Sequence, residues 1–230
     1  MVTLILTTMN EREGIKSLWN RIPFHLFKSI IIVDNHSTDG TLEFIQNASE
    51  MRQQKIRIIQ QTKTGRGNGI QEAMTKLDDD TILIMASDGN DQPEYISDLI
   101  ATQRDGGYDL VTGSRFLFPD GARTDDSDDP FRFRKFSCRV LTRMVNVLFG
   151  GSYSDSNFGL RIFTKSAWDK MKINPEKNET ELLMSIRAAK LRLRVTQIPV
   201  VEGRRVGGEV KAKTWDTIVN HLTVILSELR

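Results

Sequence analysis

Over its first half the chain alternates short apolar runs with segments of helical period, and few architectures accept that alternation. Strands are expected at residues 4–8, 30–33, 56–60, 82–85 and 110–112, with helices between them at 13–21, 41–50, 67–77 and 93–103. Such an order predicts an α/β fold with a mostly parallel central sheet flanked by helices. Two of the strands run straight into acidic turns, Val33-Asp34-Asn35-His36-Ser37-Thr38-Asp39-Gly40-Thr41 and Met85-Ala86-Ser87-Asp88-Gly89-Asn90-Asp91. Open parallel sheets bind ligands just past the carboxyl ends of their strands, so Asp34 and Asp88 stand where chemistry is expected.

Beyond Ser114 the pattern changes. Residues 119–130 form a polar, aspartate-rich loop, followed by an amphipathic helix over 131–149, a strand at 159–164, a helix at 179–190, a strand at 195–201 and a last helix at 215–229. No repeat or linker divides the 230 residues, and a single domain over 1–230 is expected. The net charge of +2 is too small to imply nucleic-acid binding. A lone Cys138 excludes an internal disulfide and a multi-cysteine zinc site, and fits a reducing cytoplasm. The strand at 4–8 follows Met1 without a basic n-region, and no uncharged stretch reaches the roughly 18–20 residues that span a bilayer. Any membrane contact is expected to be peripheral.

Six segments carry a family resemblance. Thr7-Thr8-Met9-Asn10-Glu11 resembles a first-strand Pro-x-Tyr-Asn-Glu, the 33–41 turn resembles Val-Asp-Asp-Gly-Ser-Thr-Asp-Gly-Thr, and Gly65-Arg66-Gly67 resembles Gly-Lys-Gly. Thr112-Gly113-Ser114-Arg115 resembles a Gly-Ser-Arg, Asp155-Ser156-Asn157-Phe158-Gly159-Leu160-Arg161 resembles Asp-x-x-Ser-Gly-Phe-Arg, and Arg205 to Lys211 resembles Arg-x-x-Gly-Glu-Ser-Lys. Together they resemble family 2 glycosyltransferases of the GT-A fold, nearest to polyprenyl-phosphate sugar synthases such as dolichyl-phosphate mannose synthase. The resemblance implies a nucleotide-sugar donor half at 1–114 and an acceptor half at 115–230. One departure stands out: the family's Asp-x-Asp reads Ala86-Ser87-Asp88, without the first carboxylate.

Residue by residue, a carboxylate at Asp34 can accept the N–H groups of uracil or guanine, which suits a UDP- or GDP-sugar; helix capping is its other reading. Thr8, Asn10 and Glu11 border the same base or ribose, or make local turn bonds. Arg66 brings a guanidinium to the donor phosphates, or its glycine neighbours merely shape a turn. Asp88, with Asn90 supplying an amide oxygen, is the expected ligand set for Mg2+ or Mn2+, which would stabilise the departing diphosphate. Capping of the helix near Pro93 is assigned instead to Asp91, which lies closer to its start.

The acceptor decides the remaining chemistry. A sugar hydroxyl requires a general base, for which Asp155 is expected with Glu181 behind it; a phosphate monoester, with a second pKa of about 6, requires positive charge instead. Arg115, Arg134, Arg205 and Lys211 supply such charge, and Ser137 a hydrogen-bond donor. Phe131 to Phe136 interleaves aromatics with cations and suits either a buried core or a lipid headgroup boundary at the cytoplasmic face. The expected activity is inverting sugar transfer to a polyprenyl phosphate, the alternatives being a glycan hydroxyl acceptor or a noncatalytic nucleotide-sugar binder. A sugar-1-phosphate nucleotidyltransferase is disfavoured because no glycine-rich loop follows Leu6.

Overall fold

The computed structural model describes residues 2–51, 56–77, 79–118, 133–174, 179–206 and 214–230. Seven strands, β1 (Val2–Thr8), β2 (Phe27–Asp34), β3 (Ile56–Gln60), β4 (Thr81–Ala86), β5 (Leu110–Ser114), β6 (Arg161–Thr164) and β7 (Val195–Pro199), form one sheet in the order β3-β2-β1-β4-β6-β5-β7. All neighbours run parallel except β6, which is antiparallel to both β4 and β5. The helices are α1 (Arg12–Trp19), α2 (Thr41–Met51), α3 (Arg66–Met74), α4 (Ile96–Gly106), α5 (Phe133–Phe149), α6 (Lys165–Met171), α7 (Thr180–Lys190) and α8 (Thr214–Glu228).

Strand alternation sorts the apolar runs onto two faces. Leu4, Leu6, Ile30, Ile32, Leu83 and Met85 pack against α1, α2 and α4 on one side, while Ile5, Ile31, Val33, Ile82 and Ile84 pack against α3, α6 and α7 on the other. Both faces are covered, which is why these strands read as continuous apolar runs rather than as alternating ones. A third cluster joins Leu141 and Val145 of α5 to Leu182 and Ile186 of α7 and Ile225 of α8.

Several expected boundaries shift. The segment opening at Pro93 begins as a 3-10 turn, Pro93–Tyr95, before α4, and the strand expected from 159 begins at Arg161 because Arg161 is the first residue to pair with β4. Helix α6 has no counterpart in the expectations; it starts where Thr164 caps it by accepting from the Ala167 N–H at 3.1 Å. The aspartate-rich loop at 119–130, Phe131, Arg132 and Lys211 lie outside the described residues.

Strand β1 lies between β2, reached through α1, and β4, reached from β3 through α3. Connections leave β1 to opposite sides, so a crevice opens at the carboxyl ends of β1 and β4, and the acidic turn of β4 borders it.

Candidate active site

Two cavities meet in this crevice. The first, of about 410 Å3, is lined by Thr8, Glu11, Asn35, Gln61 and Arg205 among others. The second, of about 250 Å3, is lined by Asn90, Asp91, Arg115, Asn157, Glu181 and His221 among others. Arg66, Ala86 and Asp88 line both.

The β4 turn is held from several directions. Ser87 donates its hydroxyl to the Thr7 carbonyl at 3.0 Å, Gly89 takes a left-handed φ of 96° that a side chain would strain, and the Asn90 N–H donates to Asp88 Oδ1 at 3.1 Å. The segment after β7 lies across this turn: the Gly203 N–H donates to the Asn90 carbonyl at 2.8 Å and the Val206 N–H to the Asp88 carbonyl at 2.9 Å. That segment carries Arg205, whose Nη1 donates to Asp88 Oδ2 at 2.8 Å while Nη2 donates to Glu11. One guanidinium thus bridges the carboxylates of the β1 and β4 ends.

Arg66 opens α3 and spans the sheet crevice. Its Nε donates to Thr7 Oγ1 at 3.1 Å, Nη1 pairs with Glu181 of α7, and Nη2 is buried without a hydrogen-bond partner among the described residues. Residues expected in separate halves are therefore brought together. Glu181 owes its position to Arg161, a fully buried guanidinium that donates to the carbonyls of Phe158 (2.7 Å), Glu181 (2.7 Å) and Ser156 (2.8 Å). The Arg161 bonds to Ser156 and Phe158 also fix the loop bearing Asn157, both of whose side-chain polar atoms are buried beside the second cavity and without a hydrogen-bond partner among the described residues.

Asp155 departs from its expected role. It is fully buried and lines neither cavity; Arg115 grips it with Nε to Oδ2 at 2.7 Å and Nη2 to Oδ1 at 3.1 Å. Burial alone would raise its pKa, but the Arg115 charge and hydrogen bonds override it and hold the carboxyl below the usual range. A base so occupied has no lone pair facing an acceptor, so Asp155 serves here to anchor Arg115. Arg115 also pairs with Glu202 at 3.2 Å, and Arg134 reaches the other oxygen of Glu202 at 3.3 Å. Burial raises the Glu202 pKa against the pull of these two arginines.

Asp34 is held in a similar way. It is fully buried, its carboxylate accepts from both the Ser37 N–H (2.9 Å) and the Ser37 hydroxyl, and it lines neither cavity. The next residue, Asn35, faces the first cavity instead. Asn10 makes the turn bonds, accepting from the Thr38 N–H at 2.7 Å with a φ of 52°, and Ser137 donates to the Arg134 carbonyl of its own helix at 2.9 Å. Neither lines either of these two cavities. Thr8, Glu11, Arg66, Asp88, Asn90, Glu181, Arg115 and Arg205 do.

Asp91 caps no helix: neither the Pro93–Tyr95 turn nor α4 receives a side-chain cap. Its Oδ2 accepts instead from the Ala86 N–H at 2.8 Å. Burial pushes its carboxyl up to about 7, opposed by Arg66 and reinforced by Asp88 and Glu181. Asp91, Asn157 and His221 also line the second cavity, though none was singled out as a site residue; the β4 turn and the 155–161 motif contain the first two, while α8 brings in His221 from the far end of the chain with no local signal. Burial lowers the His221 pKa, with Glu181 opposing, and its Nδ1 is buried without a hydrogen-bond partner among the described residues.

The family model described as glycosyl transferase family 2 matches residues 3–170, and the chain belongs to that family. The chain is 27% identical over 218 residues to dolichol-phosphate mannosyltransferase of Pyrococcus furiosus, covering 92% of this chain and 59% of that protein. It is 24% identical over 216 residues to undecaprenyl-phosphate 4-deoxy-4-formamido-L-arabinose transferase of Proteus mirabilis (91% and 62%), and 24% identical over 200 residues to glycosyltransferase AglJ of Haloferax volcanii (86% and 61%). It thus spans about three-fifths of the length of these relatives. Among solved structures, glucosyl-3-phosphoglycerate synthase of Mycobacterium tuberculosis, in complex with Mn2+, UDP and phosphoglyceric acid, superposes with a TM-score of 0.76 at 15% identity, covering 100% of this chain and 78% of that one. The fold is GT-A.

Proposed function

We propose that this chain transfers a sugar, with inversion, from a nucleotide-diphosphate sugar to a polyprenyl phosphate. The observation that carries the reading is the pair of cavities joined through Arg66, Ala86 and Asp88 at the carboxyl ends of β1 and β4. The first cavity takes the nucleoside, bordered by Thr8, Glu11 and Asn35, and the second takes the sugar and the attacking group. Arg66, whose Nη2 has no hydrogen-bond partner among the described residues, receives the diphosphate. The acceptor oxygen attacks the anomeric carbon from the face opposite the diphosphate. The bond from that carbon to the diphosphate breaks, and its electron pair leaves with the nucleotide diphosphate.

The donor atoms of the β4 turn fit a divalent cation: the Asp88 carboxylate and the Asn90 amide are hard oxygen ligands of the kind Mg2+ and Mn2+ take. When bound, such an ion would supply positive charge to the departing diphosphate. Arg205 must first leave Asp88, and its guanidinium is then available to an acceptor phosphate. Solved structures of the Mycobacterium tuberculosis synthase hold Mn2+ or Mg2+ together with UDP, which supports this assignment.

The polyprenyl acceptor draws support from the printed activities of the Pyrococcus and Proteus relatives and from an apolar surface on α5 and α8, where Phe136, Val140, Trp215, Val219 and Leu226 are exposed. Among the described residues no helix is long and apolar enough to cross a membrane. One observation favours a hydroxyl acceptor instead: Asp88, Asp91, Glu181 and Glu202 outnumber Arg66 and Arg115 around the second cavity. On that reading Glu181, rather than Asp155, would be the base.

Thermal melting with UDP, GDP, CDP and dTDP, with and without Mn2+, tests the donor site. A ligand at about 100 times its Kd adds about 2.7 kcal/mol, and the response to one base should require Mn2+ and vanish in Asp88→Ala. Silence towards all four nucleotides would overturn the proposal. Transfer of labelled sugar to a short polyprenyl phosphate, compared with a free glycan, then separates the two acceptors.

A further inference from the structure

Ala86 leaves the β4 turn one carboxylate short of the Asp-x-Asp pair. We propose that Asp91 supplies the missing carboxylate through space, forming with Asp88 the oxygen-donor pair for a divalent cation. The inference rests on the donor-site reading above and adds to it a residue that neither motif nor resemblance marked as a ligand.

Geometry brings Asp91 to the vacancy. Gly89, at a φ of 96°, turns the chain back after Asp88, and Asp91 Oδ2 accepts from the Ala86 N–H at 2.8 Å. The carboxylate therefore sits beside the residue whose own side chain is only a methyl. Its anchoring uses one oxygen and leaves Oδ1 without a hydrogen-bond partner among the described residues. Asp91 is 3% exposed, yet it lines the second cavity together with Asp88 and Asn90.

A structural role does not account for this placement. The turn and helix that follow take no side-chain cap from Asp91. Arg66 is the nearest cation, but its guanidinium is committed to Glu181 and Thr7 and makes no hydrogen bond to Asp91. A point 3.4 Å from Asp91 Oδ2, where a Cβ on Gly159 would fall, is also 3.5 Å from the unpartnered Arg66 Nη2, so the two groups face one small space without closing it. Buried carboxylates are paired or coordinate metals; in this cavity Glu181 pairs with Arg66, Asp88 with Arg205 and Glu202 with Arg115, whereas Asp91 makes no ion pair among the described residues and leaves an excess of negative charge. A divalent cation relieves that excess where a sugar hydroxyl does not.

Manganese binding followed by electron paramagnetic resonance tests the assignment on the full chain, with and without UDP or GDP. Asp91→Ala and the size-conserving Asp91→Asn should each weaken Mn2+ binding in the metal-only titration at least tenfold. Ala86→Asp in the Asp91→Ala background should restore the affinity. Unchanged Mn2+ affinity in both Asp91 variants, alongside its loss in Asp88→Ala, would overturn the proposal, as would a double variant that regains nothing. Loss of nucleotide binding in the wild-type chain itself would instead strike the donor-site reading, because the metal-only titration still reports on Asp91.

Discussion

At the residue scale, the direction in which a side chain leaves its strand mattered more than its type. Asp34 and Asn35 are adjacent and both polar, but the Ser37 N–H and hydroxyl close on Asp34, and Asn35 is left facing the cavity. Asp155 and Arg115 were both expected at the acceptor; they pair with each other, and of the two Arg115 alone lines the second cavity. That pair has a pH signature. The Asp155 pKa is lowered on folding, so the native state holds fewer protons than the unfolded chain across the window below the usual carboxylate value of about 3.9. Its contribution to stability is complete above that value and is lost as the pH falls through it towards the folded pKa. Asp155→Asn should cost about 3 kcal/mol at pH 7, at the low end of the range for breaking a buried pair because Glu202 still faces Arg115, and it should flatten the acid limb. Urea unfolding at a series of pH values between 7 and 2 measures both effects.

At the element scale, the site depends on how closely α1 approaches the β4 turn. A Cβ on Gly14 would lie 2.4 Å from the Ser87 carbonyl oxygen and 3.0 Å from Asp88 Cα, all of it backbone. Glycine inside a helix costs about 1 kcal/mol relative to alanine, so propensity alone predicts that Gly14→Ala stabilises. Overpacking costs about 1–3 kcal/mol, and because the clash is with backbone, it wins. The variant should melt lower and lose part of its stabilisation by nucleotide with Mn2+, since Asp88 is displaced with the turn; a higher melting temperature with full ligand response would show that α1 can retreat freely. The 200–206 segment makes the complementary contact from the other side, through Gly203 to Asn90 and Val206 to Asp88. The turn is thus clamped between an element from the start of the chain and one from near its end.

At the scale of the whole molecule, α5 and α8 pack together and leave an apolar surface, joined where Phe133 meets Trp215 edge-on at 5.9 Å. Trp215, Val219 and Leu226 recur at helical spacing on α8 and are 68%, 58% and 63% exposed. The sequence signalled a lipid boundary only at 131–136; the second helix joins it by tertiary packing. Sedimentation with vesicles containing anionic phospholipid should carry the wild-type chain down, and Trp215→Ser with Val219→Ser should reduce the bound fraction severalfold without altering nucleotide stabilisation. Equal binding by the double variant would remove this face from the proposed membrane contact.

The alternation of apolar runs with helical segments was enough to predict the α/β class, and the acidic turns were enough to locate the carboxyl ends of β2 and β4, because strand burial and chain reversal are written in neighbouring residues. The reversal of β6, its insertion between β4 and β5, the pairing of Arg66 with Glu181 and the arrival of His221 beside the second cavity were decided by tertiary structure. Each joins residues far apart in the chain, and no local period or turn residue records such a contact. Asp91 belongs between the two: its type and position were legible, but only the folded turn chose Ala86 over the helix start as its partner.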